Sequence, residues 1–170
     1  MKRGFEGRVM VKTVGLKNYS DVHYTNDAIA ERIVSHFNPS GRCLEPFRGD
    51  GSFYKHLPKG TDWCEIEDGR NFFDCNDQYD WIVTNPPFSS LTQVFKHSFT
   101  LSKNCVFLVG ISKYWSSKPR LDLARDYGGL KEILHVGTGR QIGFDLGFPF
   151  AALHFVKGYR GPIAESFLNA

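Results

Sequence analysis

The sequence predicts an α/β domain with a mostly parallel twisted sheet, helices on both faces and an antiparallel strand at one edge. Strand-like apolar runs alternate with segments of helical periodicity, which is typical of parallel strands joined by right-handed crossovers. A glycine turn follows the first of these strands. The last two strands are joined only by the glycine-rich segment 138–150, which has no helical pattern. We therefore expect those two strands to run antiparallel.

Each element rests on its own pattern. The first helix places four apolar residues on one face, and Thr25 or Asn26 can cap it. The predicted helices cover 27–37, 51–57, 90–101 and 119–129. The predicted strands cover 42–47, 62–67, 80–85, 104–111, 130–137 and 151–158.

Composition limits the class of protein. The chain has 170 residues, 41% of them hydrophobic and 15% aromatic, which suits one folded domain and excludes a disordered chain. A net charge of +3 permits a nucleic-acid partner without demonstrating one. No apolar run approaches the roughly 18 residues of a membrane span, and the first residues do not form a secretory signal. The four cysteines lack zinc or redox spacing, so we expect buried thiols in a cytoplasmic protein that holds no metal.

The first motif is the glycine loop LEPFRGDGSF at 44–53. Gly49 and Gly51 allow a tight turn that approaches a ligand closely, although a two-glycine turn by itself is equally well an ordinary turn. The second strand ends at Glu65, about 20 residues beyond Glu45, where a carboxylate suits ribose hydroxyls. No third glycine and no phosphate-loop lysine follow. The pattern favours a nucleoside without a phosphate tail, and a cationic one explains the acidic residues best.

The second motif is NPPF at 85–88, directly after an apolar strand. Pro86 and Pro87 restrict the backbone and have no N–H. The side-chain oxygen of Asn85 and the carbonyl of Pro86 are thus held as two fixed acceptors, which suit a planar –NH₂ group. Phe88 is placed to stack on a flat ring. The alternative is an ordinary strand-ending turn.

Together these motifs resemble the S-adenosylmethionine-dependent amino-methyltransferases, which methylate adenine N6 or cytosine N4 in nucleic acid. HYTNDAIAERIV at 23–34 is similar to their amino-terminal cofactor segment, EPFRGDGSF at 45–53 to the cofactor loop, and NPPF to the catalytic tetrad. The resemblance implies a Rossmann-like methyltransferase fold, with S-adenosylmethionine as cofactor. It implies a catalytic role for Asn85, Pro86, Pro87 and Phe88. The cofactor-binding residues that it implies are Tyr24, Thr25, Glu45, Pro46, Phe47, Gly49, Gly51, Glu65, Ile66, Asn71 and Phe72.

Three departures from that family stand out. Arg48 replaces a small residue and could crowd the cofactor. Asn71 stands where the family often has an acid on a third strand, although its amide oxygen can still accept from the adenine amine of the cofactor. No sizeable target-recognition insert is present, so the expected domains are a basic arm at 1–22, one methyltransferase domain at 23–160 and a tail at 161–170.

The resemblance implies direct methyl transfer to adenine N6, in DNA or unpaired RNA. Asn85 and Pro86 would accept both N–H bonds of the amine, and a base in a duplex would have to flip out. The segment SKYWSSKPR at 112–120 could hold the strand through Lys113, Tyr114, Trp115 and Lys118, unless its two aromatic residues simply pack together.

Other interpretations stay open. RNA guanine-N2 and protein glutamine methyltransferases share the NPP motif, although the glutamine enzymes typically have tyrosine after it. A catalytically inert, methyltransferase-like subunit that binds nucleic acid is the other alternative, supported by Arg48 and Asn71.

Overall fold

The computed structural model describes residues 23–168. Its strands are β1 (Cys43–Glu45), β2 (Asp62–Trp63), β3 (Tyr79–Thr84), β4 (Ser102–Gly110), β5 (Leu130–Thr138), β6 (Pro149–Val156) and β7 (Ala164–Phe167). Its α-helices are α1 (Asp27–Phe37), α2 (Leu91–Leu101), α3 (Ile111–Trp115) and α4 (Lys118–Tyr127). The predicted arm at 1–22 lies outside the described residues.

The strands form one mixed sheet in the order β2-β1-β3-β4-β6-β5-β7. Strands β1 to β4 pair in parallel, whereas β6 runs antiparallel to both β4 and β5. The predicted fold class is confirmed, including the antiparallel pairing of the last two predicted strands. Strand β7 was not predicted: it pairs in parallel with β5 at the outer edge, inside the segment we expected to be a tail.

Successive side chains of a strand point to opposite faces of the sheet, so each face has its own apolar core. Ile82 of β3 belongs to the apolar cluster that also contains residues of α2, α3 and α4. Its neighbour Val83 belongs to the second cluster, which contains the buried face of α1. Helices therefore cover both faces. Helix α1 begins as predicted, because the side-chain oxygen of Asn26 accepts from the backbone N–H of Ala28 at 3.0 Å.

The first two strands are shorter than predicted. Strand β2 ends at Trp63 because the Glu65 carboxylate accepts from the N–H of Glu67 and caps a 3₁₀ turn over Ile66–Asp68. The predicted helix at 51–57 is also a single 3₁₀ turn, Tyr54–His56. No strand forms at 69–74, where Asn71 caps a third 3₁₀ turn.

Two further expectations concern the described residues. None of their helices combines the length and the apolar character that crossing a membrane requires. Cys43, Cys64 and Cys105 are buried free thiols, as expected, and Cys75 is a half-buried one.

Candidate active site

A cleft lies where β1 and β3 end at their carboxyl edge, which is the usual ligand-binding edge of an open parallel sheet. It brings together the three sequence segments that resemble the methyltransferase motifs. Its lining consists of His23, Tyr24, Thr25, Glu45, Phe47, Arg48, Gly49, Asp50, Ser52, Phe53 and Asn85. Six of the predicted site residues are therefore neighbours in space.

Asn85 follows β3 and has a defined amide orientation. Its Nδ2 donates to the backbone carbonyl oxygen of His23 at 2.7 Å. Since a carbonyl can only accept, this bond assigns the nitrogen to His23 and leaves Oδ1 on the other side. That Oδ1 is buried and has no hydrogen-bond partner among the described residues. An unpaired buried acceptor costs free energy unless a ligand supplies the donor.

The glycine loop is held by Glu65. The backbone N–H of Gly49 donates to Oε2 of Glu65 at 2.8 Å, and Gly49 has a φ of 53°. A Cβ at Gly49 would approach the Tyr24 ring to 3.1 Å, so Tyr24 covers the loop closely. Gly51 has a φ of 88°, which suits glycine, but it is not among the cleft-lining residues. Glu65, which we expected to face a ribose, is likewise outside the lining and supports the loop.

Two more buried oxygens in the cleft lack partners. The Oγ1 of Thr25 and the Oε2 of Glu45 have no hydrogen bond within the described part of the chain. Glu45 is only 1% exposed. Burial, and next the charge of Asp50, raise the pKa of the Glu45 carboxyl well above its ordinary value, although Arg48 opposes this shift.

Arg48 is engaged beside the cleft. Its Nη2 donates to Oδ2 of Asp68 at 2.5 Å, and its guanidinium carbon lies 3.7 Å from the centre of the Trp63 ring. Arg70 packs on the same ring at 4.1 Å. The side chain that we expected to crowd a cofactor is therefore anchored on Trp63.

The other predicted cofactor residues lie away from the cleft lining. The Asn71 oxygen, expected to accept from adenine, accepts instead from the N–H of Phe73 at 3.2 Å. Phe72 is buried in the core with its ring 5.2 Å from that of Phe47. Pro46 is buried and Ile66 is exposed.

Aromatic side chains surround the NPPF motif. The Phe88 ring is half-buried and stacks on the His23 imidazole at 5.7 Å and an interplanar angle of 28°. Phe150 lies 5.8 Å from Phe88, and Phe144 lies 5.4 Å from His23. Sequence reasoning missed these three neighbours. The only available signal was the run of phenylalanines at 144–150 next to a glycine-rich loop.

The proposed strand-binding segment divides into two parts. Tyr114 is only 5% exposed and packs against Phe155 at 5.3 Å in the core. Its assignment as a base-stacking residue is therefore wrong, because its ring is already covered. Trp115 is 46% exposed, and Lys113 and Lys118 lie on the surface, Lys118 paired with Asp122 at 2.5 Å. Exposure thus agrees with the prediction for Trp115, Lys113 and Lys118, although the Lys118 ammonium already has a partner.

No group of three or more metal-binding side chains occurs within the described range.

No family model matches the sequence, and no curated protein does. Solved structures do match. The type I restriction enzyme EcoKI M protein is 15% identical with a TM-score of 0.60, over 79% of this chain and 44% of that protein. A putative class I S-adenosylmethionine-dependent methyltransferase from Listeria monocytogenes is 10% identical with a TM-score of 0.60, over 84% and 64% of the two chains.

A smaller solved protein also matches. A putative RNA methyltransferase from Pyrococcus horikoshii is 12% identical with a TM-score of 0.55, over 77% of this chain and 83% of that one. This chain thus spans less than half of the EcoKI M protein but most of the Pyrococcus protein. At these identities the likeness is one of fold, and the fold is that of the Rossmann-like S-adenosylmethionine-dependent methyltransferases.

Proposed function

We propose that this protein is an S-adenosylmethionine-dependent methyltransferase that acts on an exocyclic amine of a nucleic-acid base, adenine N6 being the proposed target. One observation carries the proposal. Asn85 lines a cleft at the end of β3, its amide is fixed by the His23 carbonyl, and its buried Oδ1 has no partner among residues 23–168. The methyltransferase fold supports the same conclusion.

The cleft has the groups that such a cofactor needs. Glu45 and Thr25 offer buried polar atoms that have no partner in the part of the chain that the structure describes, and Gly49 brings backbone to the cleft without a side chain. Tyr24, which is 52% exposed, forms the outer wall of the cleft beside Gly49. Bound there, S-adenosylmethionine would supply a methyl group activated by a sulfonium. Thr25, Glu45 and Gly49 are the residues proposed to hold it.

The chain's own contribution to catalysis is electrostatic. The Asn85 Oδ1 accepts one N–H of the target amine, and the Pro86 carbonyl is proposed to accept the second. Positive charge grows on that nitrogen during transfer, so fixed carbonyl dipoles stabilise the transition state more than the ground state. Because the two prolines restrict the backbone, these acceptors need little reorganisation.

The target base must reach a recessed position. Phe88 is proposed to stack on it, which requires the base to be unpaired or flipped. Lys113, Trp115 and Lys118 lie on the surface and are proposed to hold the phosphates and a neighbouring base. The partner is therefore nucleic acid. An RNA substrate is a second candidate, favoured by the fact that the match with the putative RNA methyltransferase from Pyrococcus spans most of both chains. Guanine N2 is the RNA target that the NPP motif also permits.

The test is incubation with labelled S-adenosylmethionine and matched single-stranded DNA, duplex DNA and RNA, followed by mass spectrometry of the nucleosides. N6-methylated adenine is expected, and Asn85→Ala is the matched negative control. N2-methylguanine would replace the proposal with the second candidate. Tight cofactor binding without transfer to any of these would favour the inert subunit.

A further inference from the structure

Arg120 connects two elements at the carboxyl edge of the sheet. This residue of the first turn of α4 is half-buried. Its Nη1 donates to Oγ1 of Thr92 at 2.9 Å, and its Nε donates to the backbone carbonyl oxygen of Lys113 at 2.8 Å. Thr92 lies in the first turn of α2, just after the NPPF motif, and Lys113 lies in α3, just after β4. Because β3 and β4 are parallel neighbours, the guanidinium lies beside the elements that follow both strands.

Both partners of this guanidinium are neutral. Arg120 forms no ion pair among residues 23–168, and burial lowers the pKa of its guanidinium with no contribution from a nearby charge. The carboxylate closest to it in sequence, Asp122, is held by Lys118 and Arg125. An arginine is always charged in a protein, and a partly buried charge that faces no anion costs free energy. Binding of an anion would offset that cost.

The guanidinium also has donors to offer. Thr92 and Lys113 use two of its five N–H bonds, so three have no partner within the described range. A guanidinium presents its N–H bonds in a planar fork that matches two oxygens of a phosphate. Because two contacts already fix the side chain, a phosphate would bind with little further loss of side-chain entropy. The exposed Lys113 adds a second cation to the same part of the surface.

We infer that Arg120 binds a phosphate of the substrate strand beside the nucleotide whose base enters the cleft. This inference rests on the proposed function, which brings a strand with one phosphate per nucleotide to this edge of the sheet. A phosphate held between the starts of α2 and α3 limits how far the target nucleotide can move from Asn85. The contact therefore sets the position of the base and not its identity, since phosphate contacts carry no sequence information.

The test is binding of the full chain to a labelled single-stranded oligonucleotide with one adenine, as DNA and as RNA, over a series of salt concentrations. Arg120→Gln should weaken binding about 10–100-fold, the usual effect of losing hydrogen bonds to a charged group. It should also flatten the slope of log affinity against log salt concentration by about 0.7, the value for one phosphate contact. Arg125→Gln is the matched control. It removes the same charge from the same helix, but Asp122 and Asp126 already pair with that residue, so the slope should change little.

Two further measurements separate a phosphate contact from a structural link. Arg120→Lys keeps the charge without the fork, so it should restore most of the slope but only part of the affinity. The second measurement uses strands in which one phosphate at a time is replaced by an uncharged methylphosphonate. Replacement beside the adenine should weaken binding by the parent and should have little further effect on Arg120→Gln, because the partner of that phosphate is already gone.

An unchanged slope in a folded Arg120→Gln, or an equal penalty for each methylphosphonate in parent and variant, would overturn the inference. Arg120 would then be a structural link between α2 and α3, and the proposed function would stand. Should Arg120→Gln fail to fold in chemical denaturation, full parental affinity in Arg120→Lys would overturn the inference in the same way. Failure of the parent to bind either strand would instead reject the nucleic-acid substrate of the proposed function, and this inference with it.

Discussion

Asn85→Ala is expected to lower the rate of methyl transfer by about 10²–10³, or about 2.7–4 kcal/mol, which is the usual effect of losing one preorganised catalytic partner. The substitution removes the buried Oδ1 without filling the space with another acceptor. Cofactor affinity should change little, because Thr25, Glu45 and the glycine loop are untouched.

The same substitution has a separate structural effect. It removes the 2.7 Å bond from Nδ2 to the His23 carbonyl, and an unsatisfied buried carbonyl costs about 1–3 kcal/mol. Asn85 and His23 are only half-buried, so water can replace the lost donor and the lower end of that range is expected. Chemical denaturation therefore has to accompany the kinetics, so that a rate loss is not confused with partial unfolding.

Two further variants separate the possible causes. Asn85→Asp keeps an oxygen acceptor but cannot donate to His23, so two acceptors would face each other at 2.7 Å. We expect the side chain to turn and the rate to fall as well. Thr84→Val is the matched control, since the neighbouring Thr84 Oγ1 is buried without a partner among the described residues and its loss should leave turnover unchanged.

Single-turnover transfer from labelled S-adenosylmethionine to a single-stranded oligonucleotide measures these effects. A rate for Asn85→Ala within about threefold of the parent, with a folded protein and unchanged cofactor binding, would refute the assigned role, because it is far below the 10²-fold expected.

Three other perturbations test the core, the strand-binding surface and the response to acid. Phe95→Ala removes a fully buried ring and should cost about 3–5 kcal/mol in chemical denaturation; a loss below about 1 kcal/mol would contradict the packing. The double variant Lys113→Ala and Lys118→Ala should flatten the slope of log affinity for single-stranded nucleic acid against log salt concentration by about 1.4. Trp115→Ala should instead weaken binding of the same strand by about 1–3 kcal/mol, with a nearly unchanged slope. An unchanged slope in the double variant would exclude this path for the strand. Burial lowers the pKa of His154 from 6.5 to about 4. The stability that this neutral imidazole contributes is therefore present above pH 6.5. It is lost at up to about 1.4 kcal/mol per pH unit as pH falls towards 4, because the unfolded chain then binds a proton that the folded protein does not. His154→Gln should remove that part of the acid sensitivity between about pH 6.5 and 5, and identical pH profiles for parent and variant would contradict the shift.

The long elements could be predicted because the spacing of their apolar residues repeats over many positions. Helix α1 and strand β4 have several apolar residues on each buried face, and their limits agree with the prediction to within two residues. Strand β7 could not be predicted in the same way. It is a short edge strand of largely exposed residues, so its sequence has no apolar run, and its pairing with β5 depends on the sheet already present.

Tyr114 shows why the composition of a segment does not determine which of its residues can bind a ligand. The segment 112–120 combines aromatic residues with cations and contains no acid, which resembles a nucleic-acid-binding surface. The turn of α3 places Trp115 outward but Tyr114 inward, where Phe95 and Phe155 of the core receive it. Which of two adjacent aromatic residues is buried depends on the packing of the sheet below them.

His23 could not be found from its residue type. Its backbone carbonyl fixes the Asn85 amide, and any residue could supply that atom. The resemblance implied that the segment before α1 contributes to the cofactor site, but only the fold shows that the His23 carbonyl meets Asn85 after β3. The motif at 85–88 predicted that Asn85 would be an acceptor, whereas the orientation that leaves its oxygen without a partner in the described range depends on this long-range contact.

Arg48 connects these observations. From the sequence we expected its side chain to crowd the cofactor, since a large cation stands where the resembled family usually has a small residue. In the structure its guanidinium lies on the Trp63 ring and pairs with Asp68. Arg48 still lines the cleft and lowers the pKa of the Glu45 carboxyl, but burial and the charge of Asp50 raise that pKa by more. Two contacts outside the glycine turn, with Trp63 at the end of β2 and with Asp68 in the 3₁₀ turn that follows, therefore decide where this large side chain lies.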